Sequence, residues 1–126
     1  MKVAIPFWRG RVSPVFDVAR NVLVVDIADG VEQARRETHF DIEGPQARAN
    51  RLAEIGADAL ICGAISWPLE MAVSAAGIEV FPQNCGDIEQ VLAAFTDGRL
   101  HQGAFLMPGC SGRRWRFRMR RRRGKN

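Results

Sequence analysis

At 126 residues the chain holds one domain with a single core and is too short for two cores of ordinary size. Its 47% hydrophobic and 25% charged residues are the proportions of a soluble globular protein, which excludes disordered, collagen-like and membrane classes. The net charge of +4 conceals two regions: nine basic residues lie between Arg113 and Lys125, and without them nine face 14 acids, so residues 1–112 carry about −5. A basic folded surface that tracks a nucleic-acid backbone is therefore not indicated for the body, whereas the tail is suited to polyanions.

Val3, Ile5 and Phe7 alternate with Lys2, Ala4 and Pro6, which predicts a first strand ending at Arg9-Gly10-Arg11. Proline and arginine in this stretch interrupt any signal-peptide core, and apolar runs such as Ala59 to Ile65 are far shorter than the ~20 residues of a membrane span; a cytoplasmic location is expected. Ser13-Pro14-Val15-Phe16-Asp17 reads locally as a turn, with the aspartate capping the next few residues. Asn21 to Ile27 is β-branched and nearly continuous; Asp29-Gly30 then punctuates the chain before Val31 to Phe40, predicting an antiparallel hairpin.

After Phe40 the period becomes helical. Gly44-Pro45 opens a helix whose Ala49, Leu52, Ala53 and Ile55 share a face and which stops at Gly56. Ala57 to Cys62 is a short buried strand. Ser66 caps a second helix that closes at Gly77; Ile78 to Phe81 is the fifth strand, and Asp87 caps a third helix ending at Gly98. The strand-helix-strand units require parallel pairing with right-handed crossovers, so the expected fold is α/β: a mixed five-stranded sheet in the order 3-2-1-4-5 with helices on both faces. Residues 1–100 form this domain, 101–112 a C-terminal extension, and 113–126 an Arg-rich tail expected to be mobile.

In such a sheet ligands bind beyond the carboxyl ends of the parallel strands, where helix-start amides are open to anions. That edge collects Phe7 to Gly10, Cys62-Gly63 and Cys85-Gly86. The three cysteines, Cys62, Cys85 and Cys110, are odd in number and widely spaced, so reduced thiols are expected rather than a disulfide framework or a zinc finger. Thiolates are soft ligands suited to iron-sulfur clusters, zinc or copper(I). Each cysteine also fits a plain role: Cys62 as a small buried hydrophobe, Cys85 as loop filler, Cys110 as an exposed residue.

In order and spacing, Lys2 to Pro6, Val12-Ser13-Pro14-x-Phe16-Asp17-x-Ala19, Ile61 to Ile65, Ala76 to Val80 and Ile88 to Phe95 resemble the dinitrogenase iron-molybdenum cofactor biosynthesis domain family. The resemblance covers roughly residues 1–100. It implies a ribonuclease-H-like α/β fold and a non-enzymatic role: holding or passing an iron-sulfur-type metallocluster or its precursor, with a donor or acceptor protein as partner. Ser13, Phe16 and Asp17 match the family motif. Val15 stands where cluster-carrying members often have histidine, which leaves metal binding to Cys62, Cys85 and Cys110, with Gly63 and Gly86 allowing close backbone approach.

Two other readings compete. Trp115, Phe117 and Met119 interleave with arginine, as in single-strand binders that stack bases and contact phosphates, which would make the chain a nucleic-acid-binding accessory protein acting through its tail. A ribonuclease-H-like hydrolase needs clustered carboxylates for two-metal chemistry, and the first strand contains none.

Overall fold

Strand β1 (Lys2–Trp8) occupies the middle of the sheet because its residues are apolar on both sides. Val3 and Ile5 turn to one face and Ala4 to the other, and all three are fully buried. The computed structural model describes residues 1–97. Within them β2 (Arg11–Val12), β3 (Asn21–Ala28), β4 (Val31–His39), β5 (Ala59–Ile61) and β6 (Glu79–Phe81) complete one sheet in the order β4-β3-β1-β5-β6, with β2 attached to β1. β1 runs antiparallel to β3 and parallel to β5, and β5 runs parallel to β6.

The sheet thus has six strands rather than the expected five. The added strand is two residues long, too short for any hydrophobic period to reveal. It folds back on β1 through Arg9-Gly10, whose φ values of 52° and 79° make the two-residue turn that suits a twisted hairpin. Among the described residues no helix is long and apolar enough to cross a membrane.

Helices cover both faces. α1 (Pro45–Ile55) and α2 (Trp67–Ala75) bury Ala49, Leu52, Leu69 and Val73 against Ala4, Val22, Val24, Leu60 and Val80. α3 (Ile88–Thr96) buries Val91, Leu92 and Ala94 against Val3, Ile5, Val25 and Ile61 on the other side. Each fully buried Val, Leu or Ile contributes about 1.5–3 kcal/mol relative to exposure, so the alternation along β1 and β3 fixes which helix lies where. α1 ends where Gly56 turns left-handed at φ 86°. α2 and α3 begin at Ser66 and Asp87, whose side-chain oxygens accept from Leu69 N and from Glu89 and Gln90 N.

The edge strand β4 is charged and largely exposed, and its register against β3 slips between Asp26 and Ile27, leaving Gln33 as an extra residue. Both features protect an open edge from pairing with other chains. The bulge brings Glu32 and Arg35, three residues apart, to the same face as α3. There the Arg35 guanidinium donates to Glu32 and reaches Glu89 at 2.7 Å. Hydrogen bonding to Arg35 holds both carboxyls below their ordinary range. The stabilisation this supplies is complete above the unfolded carboxylate range and is lost as pH falls through the lowered folded values. Arg35→Leu is therefore expected to cost about 0.2–1 kcal/mol at neutral pH, the span for exposed ion pairs. The cost should vanish in acid, as urea melts at two pH values would check.

Candidate functional site

At the carboxyl edge of the parallel strands three loops follow β1, β5 and β6, and main-chain hydrogen bonds join them into one unit. Ala64 N donates to Pro14 O at 2.8 Å and Phe16 N to Ala64 O at 2.9 Å, so residues 14–16 and 64 pair like a fragment of parallel sheet. Gln83 N donates to Gly63 O and Asn84 N to Cys62 O, joining the β6 loop to the β5 loop. Val12 N donates to Gly86 O and Ile88 N to Gly10 O, joining the hairpin tip to the start of α3. Asn84 is buried, and its amide donates to Phe81 O and Pro82 O, which shapes the last loop from within.

The pairing of the first two loops depends on Gly63. A Cβ there would lie 2.6 Å from Pro14 O and 2.8 Å from Ser13 O, closer than side-chain carbon approaches backbone oxygen. Its missing side chain serves the neighbouring loop, which packs where a Cβ would be.

The motif residues on the opposite loop converge on the same contact. Ser13 is buried and its N–H donates to Pro6 O. Phe16 is a core residue, fully buried, with its ring 6.1 Å from that of Phe40. Asp17 does not cap its own segment, contrary to the local expectation: the short 3-10 turn Phe16–Val18 has no side-chain cap. Its carboxylate instead crosses to the start of α2 and accepts from Ser66 N at 2.8 Å and from Ser66 Oγ. A carboxylate at a helix N-terminus is favoured by the helix dipole as well as by these bonds.

Arg48 of α1 holds this loop from beneath, a role that hydrophobic spacing does not reveal. It is only 3% exposed and donates from Nη1 to Phe16 O at 2.9 Å. Its guanidinium carbon lies 5.4 Å and 5.9 Å from the Phe16 and Phe40 ring centres. A desolvated cation over aromatic faces gains about 2 kcal/mol from each favourable contact. Burial pushes its pKa below the usual guanidinium range, and the Asp17 carboxylate opposes that shift. The available signal was an arginine on the apolar stripe of a helix, beside Ala49 and Leu52.

Of the thiols, Cys62 is fully buried at the end of β5, and Cys85 is half-buried in the β6 loop beside Gly86, whose φ is 116°. The bond from Asn84 N to Cys62 O brings the two loops carrying these cysteines together. Among the described residues no group of three or more His, Cys, Asp or Glu is arranged to hold a metal ion. Cys110 and the Arg-rich segment from residue 113 lie outside the described residues. The hairpin tip, whose residues the sequence placed at this edge without the turn back into β2, displays Trp8 at 57% exposure with the Arg9 guanidinium 5.3 Å from its ring centre.

Because the close contact of Gly63 with Ser13 and Pro14 orders this edge, Gly63→Ala should cost about 1–3 kcal/mol, the usual penalty for forcing atoms into a packed contact. Asp17→Ala should cost about 1–3 kcal/mol, because Ser66 N and Oγ lose their carboxylate acceptor. Because both act on one contact, the double variant should lose less than the two costs added. Chemical denaturation of the four proteins measures this; a Gly63→Ala change within 0.5 kcal/mol of the parent, on the scale of an ordinary surface substitution, would show that the loops do not depend on the contact.

Comparison with known proteins places this architecture. The family model described as dinitrogenase iron-molybdenum cofactor matches residues 1–98. The crystal structure of the protein PH0822 is similar at 25% identity and a TM-score of 0.74, over 79% of this chain and 91% of that one. A protein from Methanocaldococcus jannaschii, provisionally named a dinitrogenase, is similar at 23% identity and a TM-score of 0.67, over 79% and 90%. A Thermotoga protein provisionally named NifB is similar at 23% identity and a TM-score of 0.62, over 78% and 89%. A comparison with curated proteins finds no match. The likenesses at 23% identity carry the fold, and the family assignment rests on the match over residues 1–98: the chain belongs to the dinitrogenase iron-molybdenum cofactor family.

Proposed function

We propose that this protein is a non-enzymatic carrier that receives an iron-sulfur-type metallocluster, or its precursor, at the carboxyl edge of the sheet and passes it to an acceptor protein. Family membership supports a role in iron-molybdenum cofactor biosynthesis. The observation that carries the finer reading is the convergence on one bonded unit of the motif residues Ser13, Phe16 and Asp17 with the loops of Cys62-Gly63 and Cys85-Gly86. β1, at the centre of the sheet, bears no carboxylate, which argues against two-metal hydrolysis on this sheet.

The described donors fit a cargo better than a resident cofactor. Two thiols on adjacent loops are soft ligands of the right kind but too few to enclose a cluster, which four thiolates ordinarily hold. A cluster bound here therefore keeps part of the ligand set with which it arrives, and release needs exchange of only a few bonds. Cys110 is the candidate third thiol. Since Cys62 is fully buried, its use as a ligand requires local opening of the β5 loop, the kind of motion that loops undergo at lower cost than strands.

Anaerobic isolation followed by iron and sulfide analysis tests the proposal. The parent should retain or accept both elements. Cys62→Ser, Cys85→Ser and Cys110→Ser should each weaken iron retention by about tenfold or more, because serine preserves size but is a poor soft-metal ligand. Their effects should be non-additive. Three variants that match the parent in iron content, with unchanged thermal stability, would rule out thiol ligation.

A further inference from the structure

Acidic residues lie at both ends of the strands, but they are disposed differently. Asp29, Asp58, Glu79 and Asp97 are exposed at strand starts, a turn and a helix end, all at the edge remote from the three loops. At the loop edge Asp41 is paired with Arg20 and Glu89 with Arg35, Glu70 is buried and Glu43 lies exposed just before α1, while the acids on the segments that flank the loops of Cys62 and Cys85, Asp17 and Asp87, direct their oxygens at the starts of α2 and α3. Lys2, Arg20, Arg35 and Arg51 each have a carboxylate partner. Arg9 and Arg11, both exposed on the hairpin tip, have none among the described residues.

The tip is held in place rather than waving in solvent. Arg9 and Gly10 form its two-residue turn, Ile88 N donates to Gly10 O and Val12 N to Gly86 O, both at 2.9 Å, and the Arg11 backbone bridges Asp87 antiparallel. The cations are thereby carried on a segment fastened to the residues that immediately follow Cys85. A thiolate-ligated iron-sulfur cluster is an anion, because sulfide and thiolate charge exceeds that of the iron. A carrier offering few ligands leaves that charge on the cargo, which then needs cationic neighbours.

Resting on the carrier reading, we infer that Arg9 and Arg11 form a cationic entrance that recognises the cargo as an anion and draws it to the edge bearing Cys62 and Cys85. The pair is poised by main-chain bonds, so little conformational freedom is lost when the cluster arrives. Trp8 shields one side of the Arg9 guanidinium and lowers its freedom further.

The test mixes the full-length protein anaerobically with a glutathione-capped iron-sulfur cluster and follows ligand exchange by visible absorption in a stopped-flow instrument, at several salt concentrations. The double variant R9Q/R11Q removes two positive charges from the entrance, and R36E changes the net charge by the same amount on the distant strand β4. Both sites are exposed, so thermal stability should match the parent. R9Q/R11Q should slow uptake about tenfold at low ionic strength, as steering charges do, with the difference shrinking as salt rises. R36E should stay near the parental rate. Equal rates for R9Q/R11Q and the parent, or equal slowing by R36E, would overturn the entrance while leaving the carrier reading intact. Failure of the parent itself to take up the cluster would overturn the carrier reading, and the entrance with it.

Discussion

The site edge depends on one absent atom group. With no side chain at Gly63, the chain after β5 can approach Pro14 closely enough for Ala64 and residues 14–16 to exchange main-chain hydrogen bonds. Buried backbone groups need such partners, and here each loop supplies the other's. Once that contact forms, Phe16 enters the core, Asp17 reaches the start of α2, and Arg48 reaches the carbonyl of Phe16 from α1. The second junction, between the β5 and β6 loops through Cys62 O and Gly63 O, then extends the same bonded unit to the loop of Cys85. The motif residues are thus mainly the framework of the edge.

That framework also determines the charge the edge presents. Asp17 and Asp87 stabilise helix starts, so their negative charge is directed into the protein's own amides. Arg48 is enclosed between aromatic rings and a carbonyl. Beside these engaged charges the hairpin presents Trp8, Arg9 and Arg11 to solvent. In a body rich in acids, this arrangement leaves a local pair of cations at the hairpin tip without making the domain as a whole basic.

The parts of the fold legible in the sequence were those with local causes. Alternation in Val3, Ile5 and Phe7 marked β1, Pro45 and Gly56 bracketed α1, and Ser66 and Asp87 announced α2 and α3 as caps. β2 was missed because two residues cannot show a period, although an x-Gly turn after a strand is a hairpin signal. Asp17 was read as capping the residues just after it, whereas its partner, Ser66, lies 49 residues away, and a side chain free to cap locally or remotely looks the same in sequence. Arg48 escaped notice because periodicity counts apolar positions and passes over a cation among them. Cys62 and Cys85 lie after the neighbouring strands β5 and β6, and the burial of Cys62 agrees with the reading of Ala57 to Cys62 as a short buried strand.

Iron K-edge X-ray absorption on the anaerobically loaded full-length protein addresses the central claim most directly, since it reports the atoms bonded to iron. Sulfur neighbours at thiolate and sulfide distances are expected for the parent, with part of the thiolate contribution replaced by oxygen or nitrogen in the Cys62→Ser/Cys85→Ser double variant. A spectrum dominated by oxygen and nitrogen in the parent, or sulfur coordination identical in parent and double variant, would contradict cluster binding through these two loops.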